Sequence, residues 1–141
     1  MYKLFLPGRP TAEKLMAIST PKLRGAGVSP QKASYLKDLA ARVLDGRLNL
    51  SRIGERGDEE IMEMMDEVKG VGRWTAQMVL IFSLGRPDIL PVDDFGIRAA
   101  IKRVYALRDM PKPARIEQIA RSWHPFSTVA SLYLWKSRDV A

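Results

Sequence analysis

Residues 69–76 are Lys69-Gly70-Val71-Gly72-Arg73-Trp74-Thr75-Ala76, and no other stretch says more about how this chain folds. Gly70 and Gly72 flank one apolar residue, between a segment of helical periodicity that ends near Val68 and another that starts near Arg73. Glycine adopts the positive φ angles that a tight turn needs and lets another backbone approach closely. The stretch therefore predicts a hairpin over residues 69–73 that joins two helices.

The predicted hairpin also suggests a phosphate-binding element. It opens the N-terminus of a helix, whose unpaired N–H groups and dipole attract phosphate. Backbone donors do not read base sequence, so such a turn suits a protein that binds any DNA. A plain packing joint between two helices would use the same glycines. The predicted DNA-binding residues are Gly70, Val71, Gly72, Arg73 and Thr75 around the hairpin, with Arg98 and Lys102 further along the chain.

Helical periodicity continues on both sides of the hairpin. Ser29-Pro30 predicts the start of a helix with the apolar positions Leu36, Leu39, Ala40 and Val43. Asp58 is expected to cap the next helix, and a later helix is expected to turn Ile97, Ile101, Val104 and Tyr105 inward. Two more helices are predicted within 113–138. No convincing alternation of period two appears, so the prediction is an all-α fold with one domain over residues 1–141.

Composition narrows the function classes. The chain has 141 residues, a net charge of +7 and no cysteine. A polyanionic partner is therefore plausible, whereas disulfides, thiol chemistry and a cysteine-bound iron–sulfur cluster are excluded. The longest apolar stretch is far below the ~20 residues that span a bilayer. We expect no membrane partner and a location in the cytoplasm, at the nucleoid, or in the nucleus.

The chain resembles the helix-hairpin-helix DNA glycosylases, specifically their 3-methyladenine DNA glycosylase II branch. The hairpin motif at residues 70–76 is followed by Pro91-Val92-Asp93, which is similar to the segment that carries the family's catalytic aspartate. Further similarity lies in residues 27–35, 123–126 and 133–135. The resemblance implies the helix-hairpin-helix glycosylase fold and a role in base excision repair, with double-stranded DNA containing damaged bases as the partner.

The resemblance also implies a catalytic residue. Cleaving an N-glycosidic bond builds positive charge on the deoxyribose, and a fixed carboxylate can stabilise this charge and orient a water molecule. By resemblance this carboxylate belongs to Asp93. Its neighbour Asp94 is expected to cap the following helix or to face solvent.

Trp74 and Trp135 match aromatic pocket positions of the family, where a flipped cationic base would stack. Relatives that also nick the strand carry a lysine at the position of Trp74, so the resemblance implies hydrolysis alone, without lyase activity. No side-chain metal site is expected. The resemblance allows a monovalent cation at the backbone carbonyls of Val68 and Gly70.

Relatives usually have a longer region before the position that matches Pro10, so this chain is expected to lack some N-terminal helices. An exposed apolar seam would then favour self-association of an otherwise monomeric protein. Two alternatives to a glycosylase of alkylated bases stay open. One is a DNA-binding module, or inactive truncated glycosylase, without chemistry; the other is a helical protein–protein module.

Overall fold

The computed structural model describes residues 8–137, and all regular structure within that range is helical, without a β-strand. The all-α prediction is confirmed. The chain divides into two units, one up to Arg73 and one from Trp74 onward. Within residues 8–137, no helix has the length and apolar character needed to cross a membrane.

The first unit is built on its longest helix. Its elements are α1 (Ala12–Ala17), α2 (Thr20–Gly25), α3 (Pro30–Leu44), a 3-10 helix (Ile53–Glu55) and α4 (Asp58–Asp66). The Ser29 hydroxyl accepts the backbone N–H of Lys32 at 3.2 Å, which confirms the predicted start of α3. Helices α1 and α2 pack against α3 around the buried residues Leu23, Val28 and Ala33.

A lysine of α3 closes the C-terminal end of α1. The Lys37 ammonium donates to the carbonyl oxygens of Leu15 at 2.8 Å, Met16 at 2.7 Å and Ile18 at 2.6 Å. The last carbonyls of a helix have no partner within the helix, and its dipole favours a cation at this end. Lys37 therefore fastens a six-residue helix that would be marginal alone.

Replacing Lys37 with methionine should lower the free energy of unfolding by about 1.5–3 kcal/mol, because three charge-assisted hydrogen bonds are lost while the apolar stem remains. Urea unfolding followed by circular dichroism measures this change. Lys32→Met, at an exposed position of the same helix, is the matched control. Equal unfolding midpoints for the two variants would show that α1 does not depend on this contact.

The start of α4 differs from its prediction. Gly57 is the N-cap and Asp58 is the first helical residue, so the predicted capping role of Asp58 is wrong. The three acidic residues 58–60 nevertheless lie in the first turn, where the helix dipole favours negative charge.

The second unit contains the remaining helices. They are α5 (Arg73–Phe82, which begins at the boundary), α6 (Phe95–Val104), α7 (Pro113–Ala120), a 3-10 helix (Arg121–Trp123) and α8 (Ser127–Lys136). Its core joins Ile97, Ala100 and Ile101 of α6 to Ile116 of α7 and Leu134 of α8. The α5–α6 connection is fastened to α8, because the Asp88 carboxylate accepts the Ser127 N–H at 3.1 Å.

Two apolar residues predicted to point inward are on the surface. Val104 is 57% exposed and Tyr105 is 45% exposed, whereas Ile97 and Ile101 are fully buried as predicted. The reason is that α6 ends at Val104 and the chain turns at Ala106, which has a positive φ of 50°, so that Leu107 packs against the core while Val104 does not. The inward stripe of α6 is therefore shorter than the apolar pattern indicates.

Candidate active site

The hairpin lies between the end of α4 and the start of α5, as predicted. Gly70 has a φ of 78°, in the left-handed region that favours glycine, and the Val71 N–H closes the turn on the Val68 carbonyl at 2.9 Å. The Lys69 N–H is donated to the Asp38 carboxylate of α3 at 2.9 Å. The turn is thus held both within itself and by a neighbouring helix.

The two hairpin glycines have different surroundings. A methyl group added at Gly70 would lie 2.1 Å from the ring of Tyr35, whereas one added at Gly72 would meet no atom within 4 Å. Gly72 therefore faces open space directly before α5, where the first N–H groups of a helix have no partner within it. Arg73 is exposed and pairs with Glu59 at 3.5 Å, so part of its charge is already compensated.

The second unit holds a carboxylate in a ring of N–H donors. Asp94 is the N-cap of α6, and its Oδ1 accepts the Ile97 N–H at 2.8 Å and the Trp135 indole N–H at 2.9 Å. Its Oδ2 accepts the Trp74 indole N–H at 2.8 Å. One carboxylate therefore joins α5, α6 and α8, and both predicted pocket tryptophans bind it.

These donors favour the ionised form of Asp94. Partial burial pulls the pKa of Asp94 upward, but hydrogen bonds from Trp135, Ile97 and Trp74 outweigh that effect, and the pKa lies below the usual value for aspartate. The group is consequently a fixed anion at neutral pH.

Aromatic surface surrounds this anion. Trp74 is 50% exposed, so its ring is accessible to a ligand. The Trp135 ring stacks on Phe82 with centroids 5.8 Å apart and an interplanar angle of 27°. Phe82 is itself mostly exposed. Phe82 was not predicted at the site, because Trp135 lies on a distant helix and only the fold brings the two rings together.

Of the two neighbouring aspartates, the geometry favours Asp94 over Asp93. Asp93 is exposed, whereas Asp94 is half-buried and bonded to both indoles. The predicted capping role of Asp94 is confirmed, and the same position makes its carboxylate the better fixed of the two. The sequence offers one signal for this, since an Asp three residues before Ile97 is in register to accept that helical N–H.

The other predicted DNA contacts occupy varied positions. The Arg98 side chain is half-buried, and its Nε donates to the Pro111 carbonyl at 3.1 Å, which fastens α6 to the segment before α7. Thr75 and Lys102 are half-buried. Their roles in DNA binding stay predictions.

Known proteins are similar to this chain in sequence and in fold. The profile described as HhH-GPD superfamily base excision DNA repair protein matches residues 1–125. The Bacillus subtilis protein YfjP, named provisionally as a DNA-3-methyladenine glycosylase, is 38% identical over 91% of this chain and 45% of its own length. The Schizosaccharomyces pombe DNA-3-methyladenine glycosylase 1 is 35% identical over 94% of this chain and 58% of its own length. This chain thus spans about half the length of these two relatives.

A solved structure extends the similarity to three dimensions. The Schizosaccharomyces pombe 3-methyladenine DNA glycosylase Mag1, in complex with abasic DNA, superposes with a TM-score of 0.90 at 31% identity, covering 99% of this chain and 69% of Mag1. This superposition and the family match over residues 1–125 together establish the fold of this chain. The chain belongs to the HhH-GPD superfamily of base excision DNA repair proteins.

Proposed function

We propose that this chain carries the catalytic part of a DNA glycosylase that hydrolyses the N-glycosidic bond of alkylated bases of the 3-methyladenine type. The observation that carries the proposal is the Asp94 carboxylate, fixed by two indole N–H groups and the start of α6. The relatives named as DNA-3-methyladenine glycosylases support the substrate class. We accordingly assign to Asp94 the catalytic role that the sequence alone assigned to Asp93.

The carboxylate has the chemistry that the reaction needs. A carboxylate can accept about four hydrogen bonds, two at each oxygen. Oδ1 accepts from Ile97 and Trp135, Oδ2 accepts from Trp74, and a further backbone interaction with Gly96 also stabilises the anion, which is held beside the Trp74 ring. There the anion would face the positive charge that develops on the sugar, or accept a hydrogen bond from the attacking water.

The indoles would bind the base. An alkylated purine carries a positive charge, which the electron-rich face of an aromatic ring attracts by about 0.5–2 kcal/mol. The exposed ring of Trp74 offers such a face, and its N–H bond to Asp94 fixes the ring beside the carboxylate. Because a charged base is already a good leaving group, no strong general acid is needed, and the surface residue His124 has no assigned part in the reaction.

The residue at position 74 supports hydrolysis without strand cleavage. A lyase step needs an amine that forms a Schiff base with the sugar. Trp74 supplies an indole N–H that is a donor only, and this N–H is bonded to Asp94. We therefore propose a monofunctional enzyme.

The hairpin would bind the DNA backbone through N–H groups at the start of α5, without reading sequence. Carbonyl oxygens such as those of Val68 and Gly70 are hard ligands that suit a monovalent cation, which would add positive charge toward a phosphate. We propose double-stranded DNA with damaged bases as the partner.

Incubating the chain with methylated duplex DNA and measuring free 3-methyladenine by chromatography tests the proposal. We expect base release and abasic sites that break only after alkali, with no covalent adduct trapped by borohydride. DNA binding without release of any methylated base would instead support a non-catalytic binding module. Absence of both would overturn the proposed function altogether.

A further inference from the structure

Helix α3 holds the hairpin at two points one helical turn apart. Tyr35 and Asp38 are separated by three residues, so their side chains project from the same face of α3. Asp38 binds the hairpin backbone at Lys69, and Tyr35 packs against Gly70. None of the residues predicted from the sequence to bind DNA lies on this helix.

Arg42 supports the contact between Asp38 and the hairpin. Its Oδ2 accepts the Lys69 N–H at 2.9 Å and the Arg42 Nε–H at 3.0 Å, and Arg42 also donates to Glu67 at 3.2 Å. The Arg42 side chain is only 17% exposed, whereas Asp38 is 30% exposed. The carboxylate therefore has a defined orientation and presents a fixed acceptor to the first N–H of the hairpin.

The Tyr35 contact determines the shape of the turn. The ring lies so close to the Gly70 Cα that a methyl group there would overlap three ring carbons, at 2.1–2.5 Å. The Gln31 amide donates to the Tyr35 hydroxyl at 2.6 Å, which holds the far end of the ring. A fixed ring on one side of Gly70 leaves the turn little room to change its backbone angles.

We propose that Tyr35 and Asp38 are positioning residues that hold the hairpin backbone in the form that receives a DNA phosphate. The inference rests on the proposed function, because it assumes that the hairpin binds DNA. The N–H groups of Lys69 and Val71 are both bonded inside the first unit. The candidate donors for phosphate are then the Gly70 N–H and those that follow Val71 at the start of α5, and their direction depends on how the neighbouring hairpin residues are held.

The negative charge of Asp38 makes the effect of its removal on DNA affinity a specific test of this proposal. Removing a carboxylate from a DNA-binding protein should by itself strengthen binding, because one repulsion of the phosphates is lost. Asp38→Ala should nevertheless weaken the affinity for a labelled duplex by about tenfold, since the acceptor for Lys69 is lost. Asp38→Asn loses the same charge but keeps an acceptor oxygen, so it should bind within about twofold of the unaltered chain.

Two further comparisons complete the experiment. Asp45→Ala removes an exposed carboxylate that pairs with Arg47, and it should not weaken binding. Tyr35→Phe keeps the ring but loses the hydrogen bond from Gln31, so it should lose no more than about twofold in affinity, whereas Tyr35→Leu should lose about fivefold to tenfold. In base-release kinetics, the loss in Asp38→Ala should fall mainly on the DNA concentration that gives half-maximal rate, and much less on the maximal rate.

Amide hydrogen exchange, measured by NMR in the absence of DNA, reports directly on the hydrogen bond between the Lys69 N–H and Asp38. The Lys69 amide should exchange at least about tenfold faster in Asp38→Ala than in Asp38→Asn, while amides in the core of the unit keep their protection. If Asp38→Ala and Tyr35→Leu bind DNA as tightly as the unaltered chain, this inference is wrong and the proposed function stands. If the unaltered chain binds no DNA, the proposed function fails, and this inference fails with it.

Discussion

Asp94→Asn is expected to slow the release of 3-methyladenine from methylated DNA by about 10²–10³-fold, the usual cost of removing one preorganised electrostatic group. The amide has no negative charge to place under the sugar. One of its two polar atoms is an NH₂ group that only donates, so it cannot accept from Trp135 and Ile97 at one end and from Trp74 at the other as the carboxylate does. Single-turnover base release with enzyme in excess measures the loss.

Asp93→Asn is the matched control, because it makes the same change one residue earlier at an exposed position. Its rate should stay within about twofold of the unaltered chain, as is usual for surface substitutions. Asparagine is as good an N-cap as aspartate, so Asp94→Asn should keep α6 and the fold. Circular dichroism and DNA affinity check that both variants remain folded and bind. A large loss in Asp93→Asn, with little in Asp94→Asn, would return the catalytic role to Asp93.

The direction of the pKa shift adds a pH dependence to this result. The pKa of Asp94 is lowered in the folded chain, so its carboxylate remains ionised below the pH at which an ordinary aspartate takes up a proton. Catalysis by this group should therefore persist into mildly acidic solution. The stability that its hydrogen bonds contribute is present above the unfolded-state pKa and is lost as the pH falls through the folded-state pKa.

Local signals in the sequence predicted most of the helices. Ser29-Pro30 indicated the start of α3 because both residues act on the first turn through their own chemistry. Asp58 and Val104 show where such signals fail. Either Gly57 or Asp58 satisfies the pattern of a helix start, and Val104 continues an apolar stripe although the helix ends there. Helix ends are determined by the next segment of chain, which a local pattern does not contain.

The candidate site shows a second limit of prediction from local sequence patterns. Asp93 and Asp94 are neighbours of identical chemistry, and the family resemblance assigned the catalytic role to Asp93, whereas the geometry favours Asp94. The difference comes from Trp135, which lies 41 residues after Asp94 and donates to Asp94 only because α8 packs against α6. The hairpin glycines, in contrast, were recognisable at once, because their conformational requirement is local. The residues of α3 that hold the hairpin were not, because this contact spans 31 residues between Asp38 and Lys69.

Gly70→Ala should lower the free energy of unfolding by roughly 2–5 kcal/mol, from two separate causes. The positive φ of 78° costs an L-residue about 1–2 kcal/mol in the left-handed region. The new methyl group would also overlap the Tyr35 ring, which Gln31 holds at its hydroxyl, and such overpacking typically costs about 1–3 kcal/mol. Urea unfolding gives the total, and an unchanged midpoint would mean that the turn is not built this way.

Gly72→Ala separates stability from DNA binding. Position 72 has open space and no positive φ, so the substitution should change stability by no more than about 0.5 kcal/mol. If a phosphate approaches the backbone there, the added methyl group should still weaken DNA affinity by about tenfold.

A double-mutant cycle of Gly70→Ala with Tyr35→Ala divides the Gly70 effect between its two causes. In the double variant the overlap with the ring is removed, while the cost of the positive φ remains. A coupling near zero would assign the whole loss to the backbone angle, and a large one would show that the ring of Tyr35 keeps this position a glycine.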